Sequence, residues 1–321
     1  MHSIFLHYSI PVPNTQVSDS PYSVFQDQQY YYFVIPTRLQ EQTFLEQYTI
    51  AKHFHQYQWE NVLLPVQNVH NQWITQIGQD KYVLWYAKKG NDAPFSGSIL
   101  AQFHQTGFPY PYQPRTSNSY GKWKELWIQK LEQYEQMYQT LYQKRPVSRF
   151  IRHYVDMFPY LVGLSENAIQ YLNIVEAESR FNESDQGTFT FGRYHLSMQN
   201  DFIYMHQLVY DHPVRDIAEG LRYFLLQKDG ITKVECKKFI EQYVSIQPLS
   251  IFSWKLLYAR LLFPIHLFDI VDKFSQQDGG EEIIEEIIVS QSYYEANLRD
   301  FYYEMGVDER EANIIQLDWL Y

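Results

Sequence analysis

The 321-residue chain has one cysteine, Cys236, so neither an intramolecular disulfide nor a cysteine-built metal cluster is available to it. Basic residues are scarce relative to acidic ones. Lys plus Arg number 26 against 37 Asp plus Glu, a formal net charge of -11 that repels phosphate backbones and anionic lipid and argues against nucleic acid as a partner. Glycine is sparse at 13, and the glycine-rich signatures Gly-x-x-x-x-Gly-Lys, Gly-x-Gly-x-x-Gly and Gly-x-Ser-x-Gly do not occur, which removes the common phosphate cradles and the hydrolase elbow. The greasiest stretch, Ile251 to Val271, is interrupted by Lys255, Arg260, His266 and Asp269 and reads as a buried helix pair, not a transmembrane segment. The start of the chain, Met1 to Val12, lacks the basic, apolar and small-residue sequence of a signal peptide.

Aromatic residues are abundant: 29 Tyr, 21 Phe and 7 Trp. Tyrosine combines broad contact area with a polar tip and suits interfaces as well as cores, although AT-biased codon usage enriches it too. The length argues for two domains or two lobes. In the first, Tyr22 to Phe25 and Tyr30 to Ile35 form a hairpin about the polar stretch 26–29, with Pro36 ending the second strand. Phe44, Leu45, Tyr48, Ala51 and His55 fall at helical spacing, and Val62 to Val66, Trp73 to Ile77 and Tyr82 to Tyr86 read as three more strands. After the linker 88–94 the pattern turns helical. A long amphipathic helix over Lys122 to Gln143 carries Trp123, Leu126, Trp127, Leu131, Tyr134, Tyr138 and Leu141 on one stripe. Ser165 is placed to cap a helix over 166–175, and helices are predicted over 216–227, 233–244, 251–274 with a break near Pro264, and 281–305. Thr188 to Phe191 and Phe202 to Val209 read as short strands between them.

Reactive constellations are weak. Cys236 sits in a helix with nothing beside it to activate a thiolate and reads as an inert thiol. His53 and His55, two residues apart on a helix, face different ways, and His195, His206 and His212 read as solvated or hydrogen-bonded side chains. His206, Tyr210, Asp211 and His212 straddle a strand end, where a metal site is the minor alternative to hydrogen-bonded side chains. Lys144, Arg145, Arg149 and Arg152 read as a solvated basic face, and Gly279-Gly280 as a helix-breaking loop.

The order of elements, together with Ile99-Leu100-Ala101-Gln102-Phe103-His104 and Trp123-Lys124-Glu125-Leu126-Trp127, resembles the bacterial spore coat kinase-like family. The likeness to its YutH branch is carried by the run Phe158 to Tyr171 and by Tyr210-Asp211-His212-Pro213-Val214-Arg215-Asp216-Ile217-Ala218-Glu219. The resemblance implies an α+β, bilobal, protein-kinase-like fold of the aminoglycoside phosphotransferase type. Residues 1–90 would form an N-lobe of antiparallel sheet plus helix, and residues 91–321 a mostly α-helical C-lobe. It implies an endospore coat protein, made without a signal peptide, whose partners are other spore coat proteins.

Active members of that superfamily carry a His-Gly-Asp-x-x-x-x-Asn loop, a metal-binding Asp on the next strand and a phosphate-gripping Lys in the N-lobe. Here the loop aligns with Gln186 to Arg193, which puts Thr188 in place of the carboxylate and Arg193 in place of the metal-binding Asn. Asp185 becomes the acid only in a shifted register, where it precedes the glycine. Counting back from Asp211 places Tyr204-Met205-His206 at the metal-binding position, while an alternative register makes Asp211 the last residue of that motif. The strand ending Phe33-Val34-Ile35 offers Pro36 and Thr37 where the lysine belongs, with Arg38 the nearest base, so Glu41 or Glu46 on the following helix lacks its ion-pair partner. Asp216, at a helix start, matches the superfamily carboxylate that buttresses the catalytic loop, a structural role. The expectation is a degenerate cleft at Gln186, Thr188, Arg193, Tyr204 and His206, with no catalytic residue, no metal and no cofactor. The alternatives are a small-molecule phosphotransferase and a ligand-binding module using the interlobe cleft.

Overall fold

A computed structural model describes residues 2–10, 15–17, 22–90, 94–144, 149–178, 185–198, 200–275 and 281–308. Asp27 makes the first hairpin. Its Oδ1 accepts from the backbone N–H groups of Gln29 and Tyr30, both at 2.7 Å, turning the chain between β2 (Ser23–Gln26) and β3 (Tyr31–Pro36). The sheet is completed by β1 (Thr15–Val17), β4 (Leu64–Val66), β5 (Thr75–Ile77) and β6 (Asp80–Ala87). Its order is β1-β2-β3-β6-β4, with β5 also paired to β6 and every pairing antiparallel. Pro36 is the last paired residue of β3, opposite Tyr82, so the predicted stop lies one residue inside the strand.

Strand alternation sorts the side chains onto two faces. Phe25, Tyr32, Val34 and Leu84 pack with Ile4 and Phe5 from the 3-10 turn His2–His7, an N-terminal cover that periodicity did not announce. Val24, Phe33, Val83 and Trp85 face inward with α1 (Glu41–Gln56). The buried stripe of α1 is Phe44, Ile50, Ala51 and Phe54, whereas Leu45 is 58% exposed, so the helix is rotated from the predicted stripe.

Past the linker come α2 (Gly97–Gly107), capped by Ser96, then α3 (Trp123–Tyr142) and α4 (Arg149–Glu178). Ser165 caps nothing. It lies inside α4, which runs through Pro159, and its hydroxyl donates back to the Leu161 carbonyl. A two-stranded sheet of β7 (Thr188–Phe191) and β8 (Leu208–Asp211) follows, and the predicted strand over 202–209 is a 3-10 turn at Met205–Gln207 leading into β8. Then come α5 (Val214–Leu225), α6 (Val234–Val244), α7 (Ile251–Leu262), α8 (Ile265–Ser275), α9 (Glu281–Arg299) and α10 (Phe301–Glu304). The break at Pro264 separates α7 from α8, and most of Ile251–Lys273, long and apolar enough to cross a membrane by composition, is buried against the rest of the protein. The Gly279-Gly280 loop and Arg145 fall outside the described residues, as does the side chain of Arg149.

Candidate functional site: the cleft and the β7–β8 hairpin

Asp216 occupies the first turn of α5, where the helix dipole favours a carboxylate. It is fully buried, and both its oxygens accept from the Phe191 backbone N–H, at 3.1 and 2.9 Å. Its Oδ2 also lies 3.0 Å from Nε2 of buried His104, whose Nδ1 lies 2.8 Å from the Tyr243 hydroxyl. The consistent proton arrangement has Tyr243 donating to Nδ1 and Nε2–H donating to the carboxylate. Burial raises the Asp216 pKa above the ordinary carboxylate value, and the His104 and Phe191 hydrogen bonds oppose that rise.

Asp211 closes β8, also fully buried. Its Oδ2 accepts from Ser119 Oγ (2.7 Å), Trp123 Nε1 (2.8 Å) and Arg215 Nη1 (2.7 Å), and its Oδ1 from the His212 N–H. Arg215 also donates to the Gly192 carbonyl, so the guanidinium ties β8 to the turn after β7. With these oxygens engaged, Asp211 is structural. Asp185 is engaged through one oxygen, its Oδ2 being buried without a hydrogen-bond partner. Burial alone would raise its pKa, but hydrogen bonds from His212, Ser250 and Ser253 hold it below the usual value, and both serine hydroxyls reach Oδ1 at 2.6 Å.

The predicted cleft residues separate in space. Thr188 is fully buried in the hairpin, its hydroxyl donating to the His104 carbonyl at 2.7 Å, so it stands in the hairpin core and not in the cleft. Gln186 is half-buried in the loop before β7, beside Gly187, where a Cβ would press into the Tyr210 ring at 2.6 Å. Arg193, about half exposed, pairs with Asp269 at 2.6 Å. Tyr204 and His206 lie together beneath the N-lobe sheet, with ring centroids 5.5 Å apart.

Aromatic rings pack into part of the space under β3. Phe202 meets Tyr31 and Phe33 with centroids at 5.0 and 4.9 Å, and Tyr204 meets Phe33 and Tyr22 at 5.6 and 5.7 Å. The segment that carries them is fastened to the connection between the lobes. The Gly90 N–H donates to the Asp201 carbonyl (2.8 Å), Asn61 Nδ2 donates to Asn200 Oδ1 (2.8 Å), and Asn61 and Leu63 sandwich Ile203 through two backbone hydrogen bonds of 2.9 Å. A Cβ at position 90 would lie 2.0 Å from the Asn200 carbonyl oxygen, so only glycine admits this approach. The inward positions of β3 are Tyr31, Phe33 and Ile35, none of them cationic. Glu41 accepts from the Trp73 N–H, and Glu46 from the backbone of Arg115 and Thr116, so neither helix carboxylate is directed at a lysine. Among the described residues no three His, Cys, Asp or Glu side chains converge on a metal position.

The remaining sequence candidates have local partners. His53 and His55 bond the carbonyls of Thr106 and Val62, two separate directions, and His195 bonds Ser197. Burial pushes the Cys236 thiol up to about 12, the opposite of activation. Sequence reasoning did not single out Phe202, Phe33 or His104. Only the inward-facing aromatic alternation of β3 could have marked Phe33, and nothing local marks the other two.

The family model described as Spore coat putative kinase YutH matches residues 1–301. The chain is 29% identical over 324 residues to the endospore coat-associated protein YutH of Bacillus subtilis strain 168, covering 98% of this chain and 96% of that one. Among solved structures it is similar to an aminoglycoside phosphotransferase from Alicyclobacillus acidocaldarius, with a TM-score of 0.66, 14% identity, and 94% and 95% of the two chains covered. It is also similar to the amicoumacin kinase hAmiN, with a TM-score of 0.54, 15% identity, and 96% and 95% covered. These likenesses establish the kinase-like α+β fold.

Proposed function

We propose that this chain, which belongs to the YutH family of spore coat proteins, is itself associated with the endospore coat and acts there as a non-catalytic, kinase-shaped platform for other coat proteins. The location rests on its relative in Bacillus subtilis. The inactivity rests on one observation: rings of Phe202 and Tyr204 occupy the space under β3 where a kinase-like cleft seats its nucleotide and metal.

The hydrogen bond from the Phe191 N–H to Asp216 supports a shifted reading of the loop. If the buttressing carboxylate grips the first residue of the His-Gly-Asp triplet, the triplet is Phe191-Gly192-Arg193, and the metal-binding Asn falls on Met198. In either register no carboxylate stands at the acceptor-orienting position: it is Thr188 in one and Arg193 in the other. Phosphoryl transfer is achieved almost wholly by positioning and by neutralising charge on the phosphate oxygens. An arginine or a thioether cannot ligate a divalent cation, tyrosine and neutral histidine supply no carboxylate, and β3 supplies no lysine. Loss of a single electrostatic element of this kind costs roughly 10²–10³ in rate, and here several are lost at once. The residues present do not fit a magnesium–nucleotide complex.

Thermal denaturation with magnesium and ATP tests the inactivity. The expected midpoint is unmoved at millimolar nucleotide, because a ligand stabilises only the state it binds. A micromolar-range stabilisation, or ATP turnover abolished by neutralising one cleft carboxylate, defeats the proposal. Fractionation of spores tests the location, and recovery only from vegetative cytosol defeats that part.

A further inference from the structure

Not all of the cleft is filled. A cavity of about 240 Å³ remains between β3, α1 and the Tyr204–His206 turn, lined among others by Phe44, Gln47, Trp85, Tyr204, His206 and Arg38. We propose that it is a binding site for a single-ring aromatic carboxylate, a ligand of different chemistry from a nucleotide. The inference rests on the reading that magnesium–nucleotide does not occupy the cleft.

Size sets the first limit. A cavity of about 240 Å³ has room for one substituted ring. Shape and surface set the second. Phe44, Trp85, Tyr22 and Tyr204 present aromatic faces and edges, with Leu63, Val83 and Ile35 completing an apolar wall that favours a flat ring. Charge sets the third. In a chain with a net charge of -11, no Asp or Glu lines this cavity among the described residues, and the carboxylate-binding group they offer is Arg38, exposed on the rim. Arg38 offers a planar fork matched to a carboxylate. His206, another exposed lining residue, has its pKa lowered by desolvation and offers a ring N–H as donor. Finally, the inner wall carries an orphan: Gln47 Oε1 is buried without a hydrogen-bond partner, an acceptor that a hydroxyl on the ring would satisfy. Because the lining comes from both lobes, an occupant would also pin the Tyr204–His206 turn to β3 and α1.

Calorimetric titration of the full chain with benzoate, 4-hydroxybenzoate, benzamide and benzylamine tests this. Benzoate is expected to bind about tenfold more tightly than benzamide, with benzylamine weaker still, and Arg38→Gln to erase that preference, since a charge-assisted pair to an exposed arginine is worth about that factor. 4-Hydroxybenzoate is expected to gain a further severalfold over benzoate, a gain that Gln47→Leu removes while leaving benzoate binding in place. Arg38 is exposed, so its variant is expected to keep the native melting midpoint. No acid binding below about 10 mM, equal binding of benzylamine, or benzoate affinity unchanged in Arg38→Gln overturns the proposal. A parallel titration with magnesium and ATP separates the two readings: nucleotide binding defeats the inactive-cleft reading, whereas silence of all four aromatic probes defeats only this one.

Discussion

The two sides of the β7–β8 hairpin treat polar groups in opposite ways. On the α5 side the carboxylates of Asp216 and Asp211 are fully buried and fully partnered, as a load carried by a scaffold requires. On the cleft side the chain places Tyr204, Phe202 and Phe33 in ring contact and leaves Arg193 paired at the surface. Removing Asp216 or Asp211 would leave buried donors without partners, whereas Arg193 can give up its pair to solvent.

The largest test of that contrast is Asp216→Ala, which strips the partner from the Phe191 N–H and from His104. It is expected to cost about 3–5 kcal/mol in urea denaturation, and a loss below about 1 kcal/mol would remove the scaffold role. Asp216→Asn, which keeps an acceptor, is expected to cost less than the alanine variant.

Next in size are the rings of the cleft. Phe202→Ala and Tyr204→Ala are each expected to cost about 1–3 kcal/mol through lost ring contacts and apolar burial. Restoring acids in Tyr204→Asp with Arg193→Asp is expected to leave ATP turnover undetectable, because β3 still lacks its cation. Turnover in that double variant would mean that the cleft is closer to activity than its packing implies.

A pH series sharpens the same contrast within the C-lobe. Burial, with the Arg222 charge beside it, lowers His266 from an ordinary 6.5 to about 3, so the fold keeps the ring neutral between those values while the unfolded chain takes up a proton. Stability is therefore lost as pH falls from 6.5 toward 3, with a slope of up to about 1.4 kcal/mol per pH unit. Asp185 and Glu219, both held low, add losses of the same sign below their ordinary values of 3.8 and 4.5. Asp216 and Asp269, both raised, act oppositely. The difference in slope between the native chain and His266→Gln over pH 4.5–6.5 isolates the histidine, and identical slopes would refute its neutral burial.

The smallest expected effect belongs to Arg193→Gln. Its pair with Asp269 is about half exposed on both sides, so the loss is expected to stay within about 0–1 kcal/mol by the same denaturation measurement. A cost comparable to that of Asp216→Ala would make Arg193 part of the scaffold and blur the contrast.

Much of this was legible along the chain because it is written in local periodicity. Alternating apolar residues announced β2, β3 and β6, and helical spacing announced α3 and α5 to α7. Where local signals misled, a distant contact had overruled them. Ser165 has the chemistry of a cap, yet α4 continues through Pro159 because its buried face packs against α3 and α7. Leu45 fits the helical stripe of α1, but Phe44 against Trp85 of the sheet and Phe54 against Phe103 and Phe189 select the neighbouring face. Thr188 aligned with a cleft position, but pairing with β8 turns it into the hairpin core opposite Asp211.

The linear order of residues settled by itself that the chain is acidic and aromatic-rich, since composition needs no third dimension. Only tertiary structure decided which of these residues meet. The partners of Asp216 and the rings that line the cleft come from segments far apart in sequence. Their meeting is set by the packing of sheet, hairpin and interlobe connection as one body, which no local pattern encodes.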